Sequence, residues 1–345
     1  MTSKVAEIKA TKAGQVLRPT CITGTGSFVP SRVLTNAELE KMVDTNDQWI
    51  VERTGIQERR IAGAEETTST MGAEAARRAL ADAGVSAEEV DLILVATITP
   101  DMVFPNTACR IQTQIGATRA FCMDLEAACS GFLYALETAT QYVATGRVDT
   151  VLVIGAEKLS TITDWTDRGT CILFGDAAGA VVVQSKPDGS GILASSHHSD
   201  GRLGDLLKLP GGGSLHPTSE ETLRQGLHTM KMDGREVFKH AVTCMISAAR
   251  EALAVCGLGI EDIKLVIPHQ ANMRIVKAIG DRLGGTPEQY FVNLHKYGNT
   301  SAASVVVALD EASREGRLAK GDLVLLVAFG GGFVWGASIL EWWKS

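Results

Sequence analysis

AARRALADAGVSAEEVDL, residues 75–92, aligns without gaps on AAREALAVCGLGIEDIKL, residues 248–265. Nine of the 18 positions are identical, and the offset of 173 is half the length of the 345-residue chain. Each copy reads as a helix stopped by glycine (Gly84, Gly257), then an acidic helical turn, then a buried strand, LILVA in one half and LVI in the other. The match continues more loosely, with ALETATQYVATGRVDTVLVIG (135–155) against VALDEASREGRLAKGDLVLLVAFG (307–330). Both are a helix, a Gly-Arg turn and an apolar strand. A gapless match at half the chain length marks a duplication. The fold class that follows is α/β: two similar halves, each a sheet of mostly buried strands with helices on its faces. Around a pseudo-two-fold axis, corresponding loops of the two halves converge on one cleft. The organisation expected is a flexible tail at 1–19, an N-terminal half at 20–188, a connector or insertion at 189–230 and a C-terminal half at 231–345. The connector, with SSHHSDGRLGD and LPGGGSLHP, is rich in Gly, Ser and His and has no evident counterpart in the repeat.

Composition narrows the class. The chain is 45% hydrophobic and 21% charged, which suits a soluble globular protein with a large core. With 35 Gly and 5% aromatics, that core is built mainly from Ala, Val, Ile and Leu. A net charge of −7 supplies no basic stripe for phosphates and argues against a nucleic-acid partner. A local basic patch can still meet an acidic protein. The seven Cys (21, 109, 122, 129, 171, 244, 256) contain no CxxC pair, so they suggest neither a zinc knuckle nor a disulfide framework. Free thiols point to a reducing, cytoplasmic setting. The stretch Met1 to Thr20 is polar and lacks the apolar core of a signal peptide. Leu323 to Leu340 holds 18 uncharged residues, but three consecutive glycines in its middle favour two buried strands and a turn over a membrane helix.

Three segments carry chemistry. In DLEAACSGF (124–132) an apolar run gives way to small residues and then to the helix LYALETATQYVATG, which places Cys129 at a strand-to-helix turn. Unpaired N–H groups and the positive end of the helix dipole there are expected to draw its pKa from ~8.5 toward neutrality. Such a setting suits a nucleophile, whereas the other six Cys lack it and read as structural. In IPHQANMRI (267–275), His269 follows the strand LVI at its C-terminal end, the edge where α/β folds place their sites. In HKYGNTSAAS (295–304), subtraction of the repeat offset puts Asn299 within three residues of Cys129, so the two loops face each other. Taken alone, Asn299 also reads as a helix cap.

Together DLEAACSGF, PHQAN, YGNTSAAS and AFGGGFVWG resemble the β-ketoacyl-acyl-carrier-protein synthase III family of the thiolase superfamily. The resemblance extends to TNAELEKMVDTNDQWIVERTGIQERRIA (35–62) and covers essentially the whole chain beyond the tail. It implies a thiolase-like fold of layered αβαβα halves. It also implies decarboxylative condensation of a short acyl-CoA primer, acetyl-CoA first among them, with malonyl-acyl-carrier-protein (malonyl-ACP) at the start of fatty acid synthesis. A Cys-His-Asn set separates it from thiolases, with a second Cys, and from elongating synthases, with a second His. Plant-type polyketide synthases share the set, but their C-terminal glycine pattern usually includes a proline that GGGF lacks. A secondary-metabolism relative with an unusual primer or acceptor is the alternative. The roles implied are Cys129 as nucleophile, the N–H groups of Cys129 and Gly331 as oxyanion hole, and His269 and Asn299 as donors to the malonyl carbonyl. Trp49 and Arg168 would sandwich the CoA adenine, with Arg53 nearby, Asn272 along the pantetheine arm and Phe104 reaching into the acyl pocket of a homodimer partner. Carrier-protein docking would fall to Gln270, Ala271, Asn272, Met273, Arg274 and Lys239. No metal or organic redox cofactor is implied, since acyl-CoA and phosphopantetheinyl-ACP are substrates.

The remaining motifs are weak. GTG (Gly24, Gly26) has Val29 where a dinucleotide loop needs its third glycine. FGDAAGA (174–180) lacks the Lys-Ser/Thr of a phosphate loop, and His197-His198 lack further ligands at metal spacing.

Overall fold

The computed structural model describes residues 17–188 and 191–344. Its first half runs β1 (Thr20–Phe28), α1 (Thr68–Ala83), β2 (Leu92–Ala96), α2 (Thr107–Ile115), β3 (Phe121–Leu125), α3 (Gly131–Ala144), β4 (Thr150–Glu157) and β5 (Ala177–Ser185). The second runs β6 (Ile192–Ser199), α4 (Gly234–Cys256), β7 (Leu265–Pro268), α5 (Met273–Leu283), α6 (Ala303–Arg314), β8 (Leu323–Gly330) and β9 (Val334–Glu341).

The repeat in sequence is a repeat in geometry. Helices α1 and α4 both end on a left-handed glycine, Gly84 and Gly257, each at φ 65° and ψ 32°. Each glycine is followed by a short 3-10 turn (Ala87–Glu89, Ile260–Asp262) and then by a fully buried strand, β2 or β7. The first sheet has the order β1-β5-β4-β2-β3, and the second β7-β8-β9-β6. The corresponding pairs β2/β4 and β7/β8 are parallel, the pairs β4/β5, β5/β1, β8/β9 and β9/β6 are antiparallel, and β3 joins β2 as a further parallel strand. The halves therefore match strand for strand: β1 with β6, β2 with β7, β4 with β8 and β5 with β9. Only β3 lacks a full partner, and an isolated bridge between Val266 and Tyr290 stands in its place.

This topology corrects two boundaries. The connector expected at 189–230 contains β6, the edge strand of the second sheet and the counterpart of β1. Its half-exposed SSHHS face hid the pattern of a buried strand. Of the tail expected at 1–19, residues 1–16 lie outside the described residues. Arg18 is held, donating to the carbonyls of Val143 and Val148 at the end of α3 and to Asp149.

Five layers result, α-β-α-β-α. The central one is α3 beside α6, whose Phe132, Leu136, Val305 and Leu309 are buried with Leu94 and Val153 of one sheet and Ile267 and Leu326 of the other. Each such side chain contributes about 2 kcal/mol by leaving water. Helices α1 and α2 cover the outside of the first sheet, α4 and α5 that of the second. The GTG glycines serve this packing rather than a nucleotide: a Cβ on Gly24 or Gly26 would lie 2.4 Å from backbone atoms of Ala79 in α1. LVLLVAFGGGFVWGASIL becomes β8 and β9 with the glycines at the turn. No helix among the described residues is long and apolar enough to cross a membrane.

Candidate active site

The C-terminal ends of the parallel strands open on a cavity of about 730 Å³ whose wall includes Cys129, His269, Asn299 and Ser301 together with Gly330, Gly331 and Gly332. Cys129 comes from the first half. Strand β3 ends at Leu125, and a 3-10 turn at Ala128–Ser130 leads into α3. The turn is tight because Ala128 adopts φ 43°, while Ser130 N–H donates to the carbonyl of Ala127. Gly330 of β8 packs directly behind it, and a Cβ there would lie 2.6 Å from the Cys129 amide nitrogen. A side chain at 330 would displace the turn that carries Cys129.

His269 and Asn299 come from the second half. His269 continues β7, its N–H donating to Val327 O at 2.8 Å, and its Nδ1 meets Ser304 Oγ of α6 at 2.6 Å. The ring is therefore held by one nitrogen, with Nε2 left for the cavity. The backbone of Asn299 is clamped by the first half, donating to Leu173 O at 2.8 Å and accepting from Gly175 N at 3.0 Å. Its Oδ1 accepts from Ser301 N at 2.9 Å, so the amide is oriented and Nδ2 remains a donor. The helix-cap reading of Asn299 is thus replaced by an inter-half clamp.

Burial sets the titration of the site. It depresses His269 to about 4, which keeps the imidazole neutral at physiological pH. It pushes the Cys129 thiol up to about 12. The sequence led us to expect a thiol drawn toward neutrality by the helix end. Burial outweighs the helix dipole, so both the thiol and the imidazole are neutral at physiological pH.

A second cavity of about 460 Å³ is lined by Trp49, Arg53, Arg235, Phe238, Asn272 and Arg274, among others. It shares Met232, Phe238 and Asn272 with the first, so one path leads from a basic mouth to Cys129. The guanidinium groups of Arg53 and Arg168 each lie 4.8 Å from the centre of the Trp49 ring. With Arg168 stacked on the indole and donating to Asp44 O, no gap for a purine exists between them, and the expected sandwich would require the guanidinium to swing aside. Asn272 caps α5, accepting from Arg274 N at 2.8 Å and donating to Arg53 O at 3.1 Å. Arg235 was missed from sequence. Its signal was a second basic residue one helical turn before Lys239.

The docking set divides. Arg274 and Lys239 are exposed, with Arg274 over the Phe238 ring and Lys239 paired to Glu236 at 3.6 Å. Ala271 lies in the wall of the main cavity. Gln270 is buried, and its side chain donates to Pro268 O and Phe291 O while accepting from Asn293 N; it ties the loop internally and cannot touch a carrier protein. Met273 packs against Gly55 and Leu294. Phe104 is 83% exposed and lies outside the described wall of its own chain's cavity, although Val103 beside it reaches that wall.

A duplicated five-layer α/β fold with a cysteine at the turn into a central helix, facing a His and an Asn from the opposite half, is the architecture of the thiolase-type condensing enzymes. Two family models match, "3-Oxoacyl-[acyl-carrier-protein (ACP)] synthase III" over residues 123–201 and its C-terminal domain over 253–342. A β-ketoacyl-[acyl-carrier-protein] synthase III of Desulfitobacterium hafniense is 56% identical over 323 residues, 94% of this chain and 98% of its own length. The crystal structure of 3-oxoacyl-[acyl-carrier-protein] synthase III from Aquifex aeolicus superposes with a TM-score of 0.87 at 50% identity, covering 94% of this chain and all of that one. The priming β-ketosynthase of the R1128 polyketide pathway is 37% identical, with a TM-score of 0.89 over 95% and 97% of the two chains. The chain belongs to the β-ketoacyl-[acyl-carrier-protein] synthase III family, and it is an acyltransferase of the ketosynthase type.

Proposed function

We propose that Cys129 takes an acyl group from acyl-CoA and that His269 and Asn299 then direct its condensation with malonyl-ACP, releasing CO₂ and 3-oxoacyl-ACP. The observation that carries this reading is the convergence of the three side chains, one from the first half and two from the second, on one cavity. The sulfur attacks the thioester carbonyl and holds the acyl group covalently. Cys129 N–H and Gly331 N–H are the donors to the oxyanion, each contributing roughly 3 kcal/mol to the transition state. Asn299 Nδ2, oriented by Ser301 N, and His269 Nε2, with Nδ1 held by Ser304, donate to the malonyl thioester carbonyl as the enolate forms. A neutral imidazole suits that role, and an amide stays a donor at any pH.

The pantetheine arm, common to both substrates, enters along Asn272 from the basic mouth, where Trp49, Arg53 and Arg168 receive the CoA end. Arg274, with Arg235 and Lys239 on α4, offers positive charge to an acidic carrier protein. Met102, Val103 and Phe104, exposed at 41%, 90% and 83%, form the apolar patch that a two-fold homodimer would cover. No redox or metal cofactor enters this chemistry, and a reducing cytoplasm suits its free thiol.

The test is product analysis with a panel of acyl-CoAs and malonyl-ACP. The reading expects 3-oxoacyl-ACP with one CO₂ per CoA released, the acetyl primer among the best. Acyl transfer without CO₂ release would refute it.

A further inference from the structure

Arg59 is sealed inside the molecule at 0% exposure, in a short strand (Glu58–Arg60) that pairs with Val33–Thr35. Its hydrogen bonds go to neutral acceptors, and its Nε is buried without a partner. Burial lowers it only to about 10, so it stays charged at physiological pH. A buried cation held by neutral groups costs stability, and an apolar side chain of similar length would fill the space without that cost. What the guanidinium alone supplies is a rigid planar fork that fixes two acceptors relative to each other.

The two arms of the fork reach different parts of the site. Nη1 donates to Asn36 Oδ1 at 2.7 Å and, more weakly, to Leu34 O at 3.4 Å. Asn36 is itself buried, and its Nδ2 donates to Asp47 Oδ1 at 2.8 Å and Ile56 O at 2.9 Å. Those two residues flank the helix Asp47–Thr54, which carries Trp49 and Arg53 at the basic mouth. Nη2 donates to Ile172 O. The residues that follow Ile172 are the clamp on Asn299: Leu173 O accepts from Asn299 N at 2.8 Å, and Gly175 N donates to Asn299 O at 3.0 Å. The stem of Arg59 closes the same junction. A Cβ on Gly175 would lie 3.1 Å from Arg59 Cβ, and one on Gly298 would lie 3.3 Å from it. Arg59 thus braces both chain segments that meet at Asn299, one from each half.

We propose that Arg59 is a positioning residue for Asn299, its fork holding segment 172–175 in the register that sets where the Asn299 amide meets the malonyl thioester. This rests on the reading of Asn299 as a donor in the carbon–carbon step. Arg59 lies in neither cavity wall and so acts only through its neighbours. The Asn299 side chain has one hydrogen bond of its own, from Ser301 N, so its placement follows its backbone. A slide of segment 172–175 would carry Nδ2 away from the malonyl carbonyl. The turn at Cys129 rests instead on Gly330 and on its own Ala127–Ser130 bond, neither of which Arg59 touches. Loss of the fork therefore falls on the second half-reaction and spares the first.

The experiment is a double-mutant cycle on isolated half-reactions. Acetyl loading of Cys129 from acetyl-CoA and single-turnover discharge of the acetyl-enzyme by malonyl-ACP are measured in the wild type, Arg59→Met, Arg59→Lys, Asn299→Ala and the two double variants. Arg59→Met should slow discharge by about 10- to 100-fold, the cost of misplacing a catalytic group by about 1 Å, and slow loading far less. Arg59→Lys, which can serve one acceptor at a time, should fall between Met and the wild type, and it carries the test if Arg59→Met does not fold. On the Asn299→Ala background either change should slow discharge by no more than about twofold, because the amide it positions is gone. Equal loss of loading and discharge, or losses that simply multiply with Asn299→Ala, would mark a structural role and overturn the proposal. Wild-type discharge by Arg59→Met would do the same. Discharge by Asn299→Ala alone at the wild-type rate would instead remove the reading of Asn299, and the role of Arg59 with it.

Discussion

The two halves agree most closely at the ends of their strands that face away from the cleft, and least where they meet. Gly84 and Gly257 share one backbone conformation, and the elements after them, 3-10 turn and buried strand, are copies. At the cleft the same positions hold different chemistry. After β3, the first half makes a tight turn around Cys129 and feeds it into a helix. The second half offers His269 after β7 and Asn299 before α6, each fixed by hydrogen bonds that leave one donor free. Packing constrains the remote ends equally in both copies, whereas the converging ends were free to diverge. On the proposed reading, the nucleophile belongs to one half and the two side-chain donors of the carbon–carbon step to the other.

The largest effect should follow from removing the first half's contribution. Cys129→Ala should abolish acyl-enzyme formation, measured by intact mass after incubation with acetyl-CoA, because among the described residues no other thiol stands in the cavity wall. Next, Asn299→Ala and His269→Ala should each lower condensation by about 100-fold or more while reducing acyl loading far less. Separate assays of CoA release and CO₂ release check the difference, and equal losses would dissolve the division between halves. Arg274→Glu should raise the KM for malonyl-ACP about tenfold at low salt, with little change for acetyl-CoA, and added salt should shrink the difference. The smallest effect tests the duplication itself. Gly84→Ala and Gly257→Ala, both left-handed with open space around them, should each cost about 1 kcal/mol by denaturant titration and match one another. A marked inequality would mean that the shared geometry hides different local energetics.

Much of this was legible in the sequence, and the misses have physical causes. The repeat and the strand-to-helix turn at Cys129 follow from patterns in the residues themselves, and the layered architecture from the family resemblance. Strand β6 was hidden because an edge strand with one face toward solvent carries Ser and His where a buried strand carries Val. Gln270 looked like a surface residue in PHQAN, but a polar side chain can be buried when backbone partners satisfy it, and only the fold supplies those of Pro268, Phe291 and Asn293. The Cys129 titration was misjudged because a helix terminus is readable from sequence, while the depth of a cavity is not. Glu157 carried no signal, since nothing local in VIGAEKL marks a buried carboxylate whose donors, Thr97 and Thr99, lie 60 and 58 residues away.

The division of labour between halves is tested most directly by mapping the acyl-enzyme in Asn299→Ala. After acetyl-CoA treatment and a malonyl-ACP chase, the acetyl thioester should be found on Cys129 and should persist, whereas the wild type discharges it as 3-oxoacyl-ACP. An acetyl group on any other residue, or its discharge from the variant at the wild-type rate, would contradict the account.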